Sequence, residues 1–270
     1  MIRSSVLAIF VALTATADPM SQALMEQGYS DMYNLSFNSA HRAFTTYESI
    51  RPVDPLGPVS DAAACLFSEF DRLHILQSEF FTSDKNFLSA EKRQPDIATK
   101  TRFENDLKKT QQLATLEMQQ PNERANAMFA ETLRLGLHAD YLALIERRDV
   151  AALSEIKKAR ELAEQLVSDN PNYYDAYIAI GVENYLLSRK PAPLRWLLRA
   201  SGSETDKQVG MNKLRLTAEH GHYLLPYARL LLAVADLRDG DKSDAGNLLA
   251  WLAEHYPNND LYRAELEKLR

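Results

Sequence analysis

Six histidines, one cysteine and a scatter of acidic residues are the chemistry available to this chain. Asp71 and His74 stand three apart, which on a helix puts both on one face, as carboxylate-bridged metal sites require. Such sites need several pairs on facing helices, and this pair stands alone. His220 and His222 flank Gly221, and a spacing of two sends them to different faces. They read as a helix end, with Gly221 as terminator and a histidine near the carbonyl dipole. Cys65 lies in Ala62-Ala63-Ala64-Cys65-Leu66-Phe67 with no basic neighbour to lower its pKa, which predicts an inert buried thiol. As a single cysteine it cannot form an intramolecular disulfide. There is no Gly-x-Ser-x-Gly elbow, no His-Glu-x-x-His helix and no glycine-rich phosphate loop. Charged residues such as Glu155 and Lys158 sit at helical spacing and read as solvated surface. The sequence therefore leads us to expect no catalytic residue, no metal and no cofactor.

The elements that position these residues are helices. Only 9 of 270 residues are glycine, and apolar side chains recur three or four apart. The run Leu153, Ile156, Ala159, Leu162, Ala163 and Leu166 shows the pattern best. No β-branched run alternates as a strand would. Asn170-Pro171, Gly240-Asp241 and Pro257 with Asn258-Asn259 punctuate the helices, leaving segments suited to antiparallel pairs. The Pro-bearing stretches Arg51–Pro58 and Lys190–Gly202 read as interruptions. The class is all-α.

Arg3, the uncharged run Val6–Ala17 and the small residues Ala15-Thr16-Ala17 have the layout of a secretory signal peptide cleaved after Ala17. The run is too short to span a membrane, for which roughly 20 apolar residues are needed. The expected localisation is the periplasm or the exterior. A formal net charge of −6 argues against a general nucleic-acid binder, which needs surplus Lys and Arg to face phosphate.

A period of about 34 residues organises the chain. In Pro226–Asn259, Gly240-Asp241 makes the inter-helix turn, Ala245 is the small contact residue, Leu249 and Leu252 fill packing positions, and Pro257 closes the unit. Gly28, Ala40, Phe44 and Pro52 hold the same spacings, as do Ala159, Ala163, Leu166 and Pro171, and then Tyr177, Ile180 and Gly181. These residues resemble the tetratricopeptide repeat superfamily, degenerately over Ser60–Gln120. From Pro171 onward the chain looks like a bacterial exported or envelope subgroup. Asp175-Ala176-Tyr177 and Gly181 precede a Pro-interrupted insertion, then Thr205-Asp206 and Gly210-Met211. A similar arrangement is seen in eukaryotic relatives described as outer-membrane or inclusion-associated tetratricopeptide proteins. The resemblance implies antiparallel helix pairs stacked as a right-handed α-solenoid, protein–protein or assembly roles, and no catalytic residues. The expected organisation is a signal peptide over 1–17, an N-terminal helical region over 18–120, and a C-terminal region over 121–270 with an insertion at 188–202. That insertion makes the solenoid partly irregular, open or closed on itself.

Two surfaces are candidates for binding a partner. Tyr173, Tyr174, Tyr177 and Tyr185 crowd one helix, and in the repeat frame Ile178, Val182 and Tyr185 take positions that commonly face the groove. The same spacing also suits core packing. The insertion carries Trp196 among leucines with Arg195 and Arg199 beside it. It suits an anionic membrane surface, a cover for the groove, or a plug for the split repeat. Tyr174, Ile178, Val182, Tyr185, Trp196 and Arg195 are the candidate contacts for a protein partner. A small-molecule or lipid carrier, with an apolar pocket capped by Lys190–Gly202, is the alternative, and an unrecognised enzyme the third.

Overall fold

A computed structural model of the protein describes residues 18–75, 94–188 and 206–269. The signal-like segment and the insertion with Arg195 and Trp196 lie outside the described residues. Among the described residues the protein is all-helical: α1 (Pro19–Tyr33), α2 (Phe37–Ile50), α3 (Leu56–Arg72), α4 (Ile97–Glu117), α5 (Arg124–Asp140), α6 (Asp149–Asp169), α7 (Tyr177–Ser188), α8 (Lys207–His220), α9 (Leu225–Asp239), α10 (Lys242–His255) and α11 (Asp260–Glu267). Each helix packs mainly on its neighbours in sequence, so α1/α2, α3/α4, α5/α6, α7/α8 and α9/α10 form consecutive pairs capped by α11. This is an α-solenoid-like array. No described helix is long and apolar enough to cross a membrane.

Local chemistry sets the helix ends. Asp18, Asp96, Asp206, Asp241 and Asn259 are N-caps whose side chains accept from backbone amides of the first turn. Gly240 closes α9 at φ +85°, with Asp241 N–H donating to Asp236 O at 2.9 Å. Gly221 follows α8 without a left-handed φ, so the expected glycine terminator works differently. A Cβ there would meet Thr217 O and Asp175 Oδ1 at 2.5 and 2.7 Å, and close approach is the reason for glycine. α3 begins at Leu56, inside the Pro-bearing interruption Arg51–Pro58. Pro55 caps it and Pro58 lies in its first turn, where a missing amide costs nothing.

The small residues sit where helices cross closely. Gly28 of α1 faces the Phe44 ring of α2, and Ala40 and Phe44 are fully buried. Gly181 and Gly210 bring α7 and α8 together, where a Cβ on Gly210 would meet Tyr185 N at 2.7 Å. α3 touches α1, α2, α4 and α5, and is buried nearly all round. Its run Ala62-Ala63-Ala64 lets those helices approach, as an apolar helix at the centre of a core requires. The ends of the array also meet. Tyr33 O–H of α1 donates to Tyr223 O at 2.9 Å, Tyr29 stacks on Tyr223 at 4.7 Å, and Asn259 Nδ2 donates to Tyr33 O at 3.0 Å. Phe67 of α3 meets Tyr227 of α9 edge-on at 5.3 Å. The array is therefore closed on itself around an aromatic core.

Candidate functional site

The Tyr-rich segment opens with a short 3-10 turn, Tyr174–Ala176, and continues as α7. Tyr174 is half-buried, its ring 4.9 Å from His220 and its hydroxyl 3.4 Å from Asn172 Oδ1. Val182 and Ala179 are also half-buried. Ile178 and Tyr185 are buried. Tyr177 packs between helices, donating to Pro171 O at 3.1 Å with Lys213 over its ring. Among the described candidates, then, Tyr174 and Val182 have surface to offer, whereas Ile178 and Tyr185 are interior.

Asp175, between these tyrosines, ties the segment to the turn between α8 and α9. Its carboxylate accepts from the amides of His222, Tyr223 and Leu224 at 2.9, 3.1 and 3.0 Å. Burial lifts its pKa above the ordinary carboxylate value, and the three amides hold that rise down. Further along, on α7, Glu183 is 1% exposed and pairs with Arg160 of α6, which also donates to Glu164 at 2.8 Å.

A second polar cluster joins α2, α3 and α4. His41 Nδ1 lies 2.6 Å from Asp61 Oδ1, and Arg102 Nε donates to Asp61 Oδ2 at 2.6 Å. Burial acts to raise the Asp61 pKa, but His41 and Arg102 outweigh it and hold the carboxyl below its ordinary value. Asp106 of α4 lies beside them. Burial, then the charge of Asp61, pushes it up to about 8. Cys65 is one turn beyond Asp61 and 1% exposed. Burial and the Asp61 charge drive its thiol pKa far up, so it is no nucleophile, in keeping with the inert thiol expected. One donor atom each from His41, Asp61 and Cys65 falls within 4.8 Å of the others. The i, i+4 spacing of Asp61 and Cys65 was visible in sequence. Nothing in sequence pointed to His41, which arrives from another helix.

Asp71 and His74 do not share a helix face. α3 ends at Arg72 and His74 takes φ +53°, past the helix end. Both instead line an open cavity of about 410 Å³ with Asn258, Asp260, Glu265 and Lys268 at the foot of α11. This lining is largely polar and charged, unlike the apolar pocket a lipid carrier needs.

Asp140, at the end of α5, precedes a π-helical turn over Tyr141–Ile145 and accepts from Tyr227 O–H of α9 at 3.2 Å. Burial pushes its carboxyl up to about 7. A carboxyl raised in the fold binds its proton more tightly there than in the unfolded chain. Its contribution is complete below about pH 4 and is lost as pH rises through 7. Asp140→Asn, a neutral isostere, should therefore be more stable than wild type by about 1–2 kcal/mol at pH 8 and equal to it near pH 4. The residue keeps some exposure, so we set this below the full shift. Urea titrations of both proteins across that range check it, and parallel profiles would refute it.

No family model, curated protein or solved structure matches the chain.

Proposed function

We propose that this protein is a non-catalytic scaffold of tetratricopeptide-like helix pairs that holds a protein partner in the periplasm or cell envelope. The observation carrying this reading is that Tyr174, Ala179 and Val182 keep partial exposure on an otherwise locked segment. Such a surface is rigid before binding, so little side-chain entropy is lost when a partner covers it. Tyrosine at such a position suits an interface hot spot. Stacked helix pairs supply the extended frame on which repeat proteins present such surfaces.

Affinity capture from an envelope extract tests the reading, with Tyr174→Ala/Val182→Ala as the comparison. This pair leaves the buried Tyr185 in place, and because Tyr174 and Val182 also pack against the core, urea unfolding of the variant checks that its fold is retained. A defined protein should be enriched by wild type and reduced roughly tenfold or more by the variant, matching a loss of about 1.4 kcal/mol. Equal capture by both removes the site from α7, and no specific capture removes the scaffold. The second reading, a carrier for a small polar molecule, draws on the cavity beside Asp71 and His74, whose size is adequate for one. Mass spectrometry of co-purified small molecules separates the two.

A further inference from the structure

We propose that His41, Asp61 and Cys65 form a site for a zinc-class divalent metal ion. Asp61 and Cys65 lie one turn apart on α3, so both side chains leave the same face toward α2, which supplies His41. Their donor atoms already stand within 4.8 Å of one another. Zinc bonds of about 2.0–2.3 Å hold tetrahedral ligands roughly 3.3–3.8 Å apart, so His41 Nδ1 and Asp61 Oδ1, now 2.6 Å apart, part to admit the ion, and no pair of donor atoms starts more than 4.8 Å apart. The set of imidazole, carboxylate and thiol selects zinc over magnesium or calcium, which prefer oxygen throughout.

Three further observations point to a ligand. Cys65 is 1% exposed, and its thiol makes no hydrogen bond among the described residues. Arg102 holds Asp61 by Oδ2, leaving Oδ1 to face the ion, as an outer-shell residue orients a ligand. His41 keeps partial exposure and marks the way in. On binding, the Cys65 S–H bond breaks, a metal–sulfur bond forms and the proton passes to solvent. The proton on His41 Nδ1 that bonds Asp61 also leaves, to solvent from an imidazolium or to Nε2 through solvent from the neutral ring, and the freed Nδ1 lone pair binds the metal. No electron is transferred.

The test uses the full chain, stripped with chelator, then offered Zn2+ or Co2+ alone. One Zn2+ per chain is expected by native mass spectrometry, and Co2+ should produce the thiolate-to-cobalt charge-transfer absorption that only a sulfur ligand gives. Cys65→Ala and His41→Gln should each weaken Zn2+ binding by at least roughly 100-fold, while His222→Gln leaves it unchanged. Absence of the charge-transfer band in wild type overturns the proposal without any variant, which covers the case in which Cys65→Ala does not fold. Uptake that survives both ligand substitutions, or that His222→Gln removes, also overturns it. Neither outcome bears on the scaffold reading.

Discussion

Asp175→Ala is expected to cost about 3–5 kcal/mol of stability. Three amides at His222, Tyr223 and Leu224 share this one carboxylate. Removing it leaves them without an acceptor in a turn packed between α8 and α9. Each neutral donor so stranded costs about 1–3 kcal/mol, and water reaching the more open His222 end keeps the total below the simple sum. The same turn touches α1 through Tyr33 and Tyr29, so the closure of the array weakens with it. Asp175→Asn keeps a carbonyl acceptor but turns an amide donor toward other donors, and should lose about half as much. Urea unfolding measures the total, and hydrogen exchange at residues 222–224 gives the local readout. Exchange there no faster than in wild type would show that the clamp is not what holds the turn.

Arg160→Met should cost about 3–5 kcal/mol at pH 8, because it leaves Glu183 as a buried charge without its partner. Glu183 is pushed up to about 7 by burial even with the Arg160 charge beside it, and losing that charge raises it further. In the variant, the penalty is absent below about pH 4.5, where the carboxyl is protonated in both folded and unfolded chains, and grows as pH rises through the folded pKa. The cost should therefore shrink severalfold between pH 8 and pH 4.5. Arg160→Met/Glu183→Leu, which removes both charges, should recover most of it, since an apolar pair tolerates this burial better than half an ion pair does. A double variant as unstable as Arg160→Met alone would mean that shape, rather than charge, fixes the crossing of α6 and α7.

The sequence by itself determined the helical class, the helix breaks and the closest contacts within pairs. Asn170-Pro171 ends α6, Gly240 ends α9 in the left-handed conformation, and Pro257 lies between α10 and α11. Gly28 and Phe44, read from spacing, do meet across α1 and α2. These features are legible because capping, glycine freedom and the 3.6-residue period act over a few residues. The tertiary structure alone decided which pairs meet. Tyr33 reaches Tyr223 and Asn259 across 190 and 226 residues, and Phe67 finds Tyr227. Periodicity marks a face as apolar without saying what covers it. For that reason Tyr185 and Ile178 are readable from sequence as groove or as core, with core the commoner use of such spacing, and packing against the adjoining helices places them inside. The same holds for the polar residues. His41 carries no local sign of Asp61, and Asp175 none of the three amides it holds, because a side chain acquires its charge environment from helices that arrive through folding.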